Sequence, residues 1–297
     1  MSSDLSRTED AAPPRPSRAA MVVPPVFVLL WSSAFIAGVI GVGAAPPLLL
    51  TFSRFAVAGI LLALIALTMR APWPRGVKLA HIAVSGLLIQ AVQFGAFYSA
   101  LSTGLPAAVV ALWQGLNPVV IALLAATFLH ERIGPRQWLG FVLGAIGVIL
   151  AVVDRVSFSV AGMVLCIIGL LGLSVGTVYQ KRFAADLDVR SGTAVQFLVS
   201  APVIGVLTLT LETPHVTQWG PFALALGWIV LVNSVGTFVL LNLMLRKSSA
   251  SKVGTLFFLT PAVTAILTWL TLGQTLQPLT IIGLAVSGVG VLLATRA

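Results

Sequence analysis

Residues 22–42 read VVPPVFVLLWSSAFIAGVIGV. An uncharged apolar run of this length is what a helix needs to cross a bilayer, at roughly 20 residues for about 30 Å of hydrocarbon. It is too long for the apolar core of a cleaved signal peptide, and it has no convincing small-residue cleavage site, so it reads as a first, retained span. Nine further runs follow, at 47–69, 78–99, 105–127, 136–153, 160–180, 192–211, 219–244, 251–271 and 278–295. Gly and Pro punctuate the joins, at Pro46-Pro47, Pro72, Pro74, Pro106, Pro135, Pro214 and Pro278. Strands of a membrane barrel would alternate polar and apolar over about ten residues. These runs are continuously apolar. The sequence therefore predicts an all-α integral membrane protein with ten transmembrane helices.

Composition agrees. Of 297 residues, 58% are hydrophobic and 8% charged, against roughly 25% charge in a soluble domain. Disorder needs the opposite balance. Residues 1–21 alone are polar and Pro-rich without an apolar period and read as a disordered tail. The single cysteine, Cys166, permits no internal disulfide and no Cys-based metal cluster.

The net charge of +9 is a topology signal. With the N-terminus inside, the cytoplasmic segments hold Arg7, Arg15, Arg18, Arg70, Arg75, Lys78, Arg132, Arg136, Lys181, Arg182, Arg190, Arg246, Lys247, Lys252 and Arg296. The opposite loops hold Arg155, and Arg54 lies inside the second span. This asymmetry follows the positive-inside rule and puts both termini in the cytoplasm. One missed span would scramble it. The basic residues then face the membrane surface and anionic lipid, and they give no argument for nucleic acid.

A shift of 143 residues lays Leu116-Asn117-Pro118 on Leu259-Thr260-Pro261, with about 14 identities over the pairs from 104/247 to 153/296. Pro135/Pro278, Gly140/Gly283, Gly147/Gly290 and Val148/Val291 are among them. The chain divides accordingly into a tail (1–21), a first five-helix repeat (22–153) and a second (160–296). An odd number of helices inverts the second repeat, the arrangement of secondary transporters that alternate access around a midplane site.

Polar residues inside spans are costly and mark function by default. Arg54, a third of the way in from the outer face, either meets a substrate carboxylate bidentately or snorkels outward and ties down loop carbonyls. Gln90 and Gln93 share a helical face with Phe94, Phe97 and Tyr98, and the shift lays Gln90 on Asn233. Amides both donate and accept, which suits a zwitterion; the alternative is ordinary interhelical hydrogen bonding. Trp113 and Gln114, one turn before Pro118, add an aromatic wall and another amide, and Trp31, Tyr179 and Trp228 are further aromatic candidates. Pro118 and Pro261 each free a carbonyl four residues earlier, giving either a functional break or a packing kink. The rows Gly140, Gly144, Gly147 and Gly283, Ser287, Gly290 permit close helix contact, either between the halves or across a dimer seam.

Some chemistry is absent. Gly172-Leu173-Ser174-Val175-Gly176 fits a nucleophile-elbow pattern but lies within an apolar helix rather than at a strand-to-helix turn. His81, His130 and His215 have no metal-ligand spacing. Catalysis, a metal and a cofactor are not expected. Asp4, Glu9, Asp10, Glu131, Asp154, Asp186, Asp188 and Glu212 fall in tails, loops or span ends. No mid-membrane carboxylate is left to drive a proton pump or pair a cationic drug, which favours a neutral or zwitterionic solute.

Trp31-Ser32-Ser33-Ala34-Phe35, Phe52-Ser53-Arg54-Phe55, Leu116-Asn117-Pro118 with Leu129-His130-Glu131-Arg132, and Gly140 through Gly147 together resemble the EamA-type half of the drug/metabolite transporter superfamily. The second half repeats the pattern at Leu259-Thr260-Pro261, Gly273-Gln274 and Gly283 through Gly290, departing at Gln274 where the repeat often has the acid found at Glu131. Val178-Tyr179-Gln180-Lys181 and the layout look most like the YddG-like exporters of (aromatic) amino acids. The resemblance implies a multi-pass bacterial inner-membrane exporter with a central cavity chiefly from the third, fourth, eighth and ninth helices and their first- and sixth-helix neighbours. The resulting expectation is an exporter of amino acids or similar neutral or zwitterionic metabolites, monomeric or homodimeric, with substrate contacts at Gln90, Gln93, Tyr98, Trp113, Gln114, Tyr179, Asn233 and Arg54. An exporter of uncharged drugs or sugars is the alternative. An intramembrane enzyme would lack a nucleophile–base pair, and a receptor would lack a soluble signalling domain.

Overall fold

The computed structural model describes residues 18–130, 132–152, 159–273 and 278–295. Ten helical stretches result: α1 Arg18–Ala44, α2 Pro47–Thr68, α3 Gly76–Ser102 and α4 Ala107–Phe128, α5 Pro135–Val152, α6 Val160–Phe183, α7 Val189–Leu211, α8 Trp219–Lys247 and α9 Lys252–Thr271, and α10 Pro278–Thr295. Among the described residues there is no strand. Eight of these helices are long and apolar enough to cross a membrane, while α5 and α10 contain shorter apolar stretches, Pro135–Leu150 and Ile281–Ala294. The helix α1 begins at Arg18, inside the segment read from sequence as tail. Residues 1–17, and the Glu131 and Gln274 positions compared above, lie outside the described residues.

The two halves meet through pairs of helices that correspond under the 143-residue shift. Helices α2 and α7 run antiparallel: a Cβ on Gly205 would meet the Phe52 ring at 3.0 Å, and one on Gly59 would meet Leu198 at 2.9 Å. Both ends of this pair are pinned. The Glu212 carboxylate, just after α7, accepts from Leu48 N (2.9 Å) and Leu49 N (3.0 Å) at the start of α2. Ser191 at the start of α7 donates to the Pro72 carbonyl just after α2 (2.5 Å). Free N–H groups at a helix start need acceptors, and Glu212 supplies one with favourable charge.

Helices α5 and α10 form the second pair. A Cβ on Gly140 would lie 2.6 Å from the Gly290 carbonyl, and one on Gly147 would lie 2.5 Å from Ser287 N and 2.6 Å from the Gly283 carbonyl. Ser287 Oγ donates to the Gly144 carbonyl (3.4 Å). The small-residue rows thus face each other within one chain, which answers between the two readings left open by sequence: they join the halves.

Local breaks are also duplicated. The α4 ladder is interrupted at Leu116, ahead of Pro118; Leu116 N and Val119 N make tighter bonds to Trp113 and Leu116 carbonyls. In α9 the turn Thr255–Leu259, ahead of Pro261, is 3-10. Proline's missing N–H accounts for both. A second matched irregularity is a π-helical segment in α3 (Leu87–Val92) and in α8 (Ile229–Thr237). No prolines mark these, and nothing in the sequence announced them.

Candidate functional site

Arg54 is fully buried on α2. Its Nε donates to Ser234 Oγ on α8 (2.8 Å) and its Nη1 to the Tyr98 hydroxyl on α3 (3.1 Å). The guanidinium carbon stands 3.8 Å from the Phe94 ring centre, with Phe55 and Phe238 at 5.8 and 5.9 Å. Nη2 has no protein partner, and among the described residues no carboxylate forms an ion pair with Arg54. A desolvated cation–π contact is worth about 2 kcal/mol, while burying a charge costs several kcal/mol. The arginine is therefore under-compensated where it stands, and an anion placed against Nη2 would be stabilised.

Around it the aromatic rings close a box. Trp31 lies edge-on to Phe257 at 4.9 Å and tilted to Phe238 at 5.4 Å, and Phe94 meets Phe238 at 5.9 Å and Tyr98 at 5.8 Å. Trp31 is oriented by its Nε1 donating to Gln114 Oε1 across α1 and α4 (2.7 Å). Between these rings a cavity of about 10 Å³ is lined by Trp31, Ala34, Arg54, Phe94, Asn233 and Phe238, with Thr237 completing it. That is room for roughly one water, so the box is contracted and must expand to hold a metabolite. Asn233 donates through Nδ2 to the Leu30 carbonyl, which leaves its Oδ1 without a protein partner. A buried acceptor thus lines the same cavity as the donor Nη2 of Arg54.

Gln90 and Gln93 are fully buried, and none of their four side-chain polar atoms has a protein partner. Gln90 sits in the π segment of α3 as Asn233 does in that of α8. π segments occur often at functional sites because they displace side chains from the regular helical register. Gln90 lies one turn before Phe94, and Gln93 lies where α3 meets α6, its N 3.1 Å from a Cβ placed on Gly172. Trp113 is half-buried and packs against the main core without a hydrogen bond to the box. Tyr179 is placed apart: its hydroxyl is hydrogen-bonded to His81 Nδ1 (2.7 Å), and its ring centre lies 4.8 Å from that of Phe183. Trp228 donates to Ser33 Oγ (2.9 Å). Sequence reasoning brought Arg54, Tyr98, Gln114 and Asn233 to one region but did not single out Ser234, Thr237 or Phe238. The π segment puts Ser234 and Thr237 beside Asn233, and no sequence period signals that.

Asn117, three residues after Gln114 on α4, accepts through Oδ1 from Ser174 Oγ on α6 (2.6 Å). The glycine-flanked Ser174 therefore serves as a helix–helix tie, consistent with its place within α6. Among the described residues no group of three or more His, Cys, Asp or Glu could hold a metal ion.

The EamA-like transporter family matches the chain twice, over residues 25–153 and 160–296. Similar proteins include YedA of Escherichia coli strain K12, an uncharacterized inner membrane transporter, 25% identical over 270 residues that cover 90% of this chain and 87% of that one. A probable terminal-alkyne amino-acid exporter of Streptantibioticus cattleyicolor is 28% identical over 281 residues, covering 91% of each chain. A solved crystal structure shares the fold with a TM-score of 0.76 at 24% identity, covering 94% of this chain and 96% of that one.

Proposed function

The chain belongs to the EamA-like transporter family and is a multi-pass inner-membrane transporter, and from that premise we propose that it exports α-amino acids or closely similar zwitterions from the cytoplasm. One observation carries this reading: in a cavity free of acids, the unpartnered Nη2 of Arg54 and the unpartnered Oδ1 of Asn233 share the same small lining. A carboxylate on Nη2 and an ammonium group on Oδ1 would satisfy both, and the rings would receive the side chain. An uncharged sugar or drug would leave the arginine charge uncompensated. The relative named as a probable amino-acid exporter supports the same class.

In this reading the basic end of the bundle faces the cytoplasm. The two five-helix repeats, 22–153 and 160–296, rock about the α2–α7 and α5–α10 pairs, and the contracted box is an intermediate between an inward- and an outward-open form. Helices of one chain build the whole box, so a monomer suffices. The solute's own gradient drives net flux, since the box holds no group for proton coupling. The test is uptake of radiolabelled amino acids into proteoliposomes holding the purified protein. Saturable flux that a pH gradient leaves unchanged is expected; no saturable flux for any amino acid would overturn the substrate class.

A further inference from the structure

A second polar cluster is buried between the Arg54 box and the basic end, and it differs from the first in that its side chains are hydrogen-bonded to one another. Gln196 on α7 donates through Nε2 to Gln180 Oε1 on α6 (2.7 Å) and to Ser85 Oγ on α3 (3.0 Å). Gln180 Nε2 donates to Asn242 Oδ1 on α8 (2.7 Å), and Asn242 Nδ2 donates to Thr193 Oγ1 on α7 (2.8 Å). All five side chains are buried. The next two residues of α6 extend the closure outward. Lys181 Nζ donates to the Leu245 (2.7 Å) and Ser248 (2.8 Å) carbonyls at the end of α8, and Arg182 donates to the Phe128 carbonyl at the end of α4.

The cluster separates two spaces. On its outer side a cavity of about 360 Å³, lined by Trp73, Arg75, Lys78, Asp186 and Arg246, ends on the buried Ile82. The Ile82 carbonyl accepts from Ser85 Oγ (2.9 Å), so the floor of that vestibule lies one helical turn from the first member of the cluster. On its inner side Phe197, the residue after Gln196, packs at 5.6 Å on both Phe55 and Phe238, which wall the Arg54 box. Vestibule, amide cluster, aromatic wall and box therefore follow one another along α3, α7 and α8.

Amides suit a seal that must open. Paired with each other they cost little to bury, and on parting into a vestibule each can exchange its protein partner for water without leaving a buried group unmet. Interhelical hydrogen bonds within a bilayer are individually weak, so such a seal is reversible. We propose that the Ser85–Gln180–Thr193–Gln196–Asn242 cluster is the cytoplasmic gate of the transport path, with Lys181 as its outer clasp. The assignment rests on the alternating-access reading above but not on the identity of the solute.

The test uses thiol accessibility. Ala34, which lines the box, is changed to cysteine in a Cys166→Ser background, and a membrane-impermeant maleimide is applied to each face of oriented membrane vesicles. Gln196→Leu removes both amide donors, and Thr193→Val removes one hydroxyl with little change of shape, so it serves if the first variant does not fold. Labelling from the basic-end face is expected to rise about tenfold in Gln196→Leu and severalfold in Thr193→Val, while labelling from the other face falls, as a shift between two states requires. Unchanged labelling from the basic-end face overturns the proposal, and so does an equal rise from both faces, which would mean a loosened bundle. Because no solute is needed, failed labelling leaves the substrate reading standing, and failed amino-acid flux leaves the gate standing.

Discussion

The Arg54 guanidinium carbon stands 3.8 Å from the centre of the Phe94 ring, with α2 supplying the charge and α3 the ring. The aromatic face substitutes for a counter-ion, and it substitutes poorly. A solute carboxylate is a stronger partner than a ring quadrupole, so loading the box would free Phe94 and with it the π segment of α3 that begins at Leu87. On the proposed reading, the contact would couple occupancy of the box to the position of a helix that also carries Ser85 of the proposed gate.

Replacing Arg54 separates stability from function. Arg54→Met removes a buried, under-compensated charge and keeps an apolar stem, a gain that offsets the orphaning of Ser234 Oγ and the Tyr98 hydroxyl, so the stability in detergent is expected to stay within about 1–2 kcal/mol of the parent's. Amino-acid flux should fall by roughly 10- to 100-fold, the worth of a hydrogen bond to a charged group. Arg54→Lys should transport poorly as well, since a lysine cannot reach Ser234, Tyr98 and a carboxylate together. Thermal shift and proteoliposome uptake on the same preparations decide it; an Arg54→Met protein that transports at the parent's rate contradicts the assignment.

Trp31→Phe keeps the ring contacts but strips the donor from Gln114 Oε1, which is buried 2.7 Å away. An orphaned acceptor costs about 1–3 kcal/mol. The double variant Trp31→Phe/Gln114→Leu removes both partners and should recover much of that loss. A double-mutant cycle in unfolding measurements reads the coupling, and additive effects would mean that the bond contributes nothing.

Two glycines of the α5–α10 region make opposite predictions. A methyl at Gly147 would meet Ser287 Oγ at 2.4 Å and backbone atoms at 2.5 and 2.6 Å, whereas one at Gly288 meets nothing within 4 Å. Gly147→Ala should cost about 1–3 kcal/mol or more by overpacking and reduce folded yield. Gly288→Ala should be near neutral. Size-exclusion profiles and thermal stability of the two purified variants compare them directly.

How much of this was legible in the sequence depends on which physical signal carries it. The ten helices were read from apolar run length, and the duplication was read from Pro118/Pro261 and the glycine rows, because steric requirements leave residue types behind. The rows' partner was not legible: Gly140 and Gly290 tolerate a helix neighbour of any origin, and only packing places them on each other. Arg54 stood out because ionised residues are rare in spans. Ser234 and Phe238 did not, since they reach the box through a π segment that no residue period announces. Residue type groups Tyr179 with the substrate contacts, and its pairing with His81 near the end of α6 is not legible from type or period.

Asp188 makes a pH prediction. Its carboxylate accepts from the backbone N of Arg190 (3.0 Å) and of Ser191 (3.4 Å) as cap of α7, and from Arg190 Nη2 (2.9 Å) and Nε (3.2 Å). Those Arg190 side-chain bonds, more than the backbone ones, hold the carboxyl below the usual carboxylate range. A depressed folded value stabilises above the unfolded pKa of about 4, and that stabilisation is lost as pH falls through the folded value. Asp188→Ala should therefore cost about 1 kcal/mol at pH 7. Stability curves of the parent and the variant should converge on acidification below pH 4, and a gap that widens there would reverse the sign.

The two kinds of buried amide can be told apart by substitution with leucine, which has a similar volume. Gln180 both donates to Asn242 and accepts from Gln196. Gln180→Leu strands both neighbours and should lower stability by about 1–3 kcal/mol. Gln90 has no protein partner at either polar atom. Gln90→Leu strands nothing, buries more apolar surface and should leave the apparent Tm unchanged or higher. A group kept at the centre of an apolar bundle without a structural partner is then retained for what it meets during transport. Gln90→Leu should accordingly lower amino-acid flux while the protein stays folded, and Asn233→Leu, at the matching position of the other repeat, should do the same at some cost in stability because it also loses the Leu30 carbonyl. A Gln90→Leu protein with lower Tm and full flux would put Gln90 among the structural amides and remove it from the site.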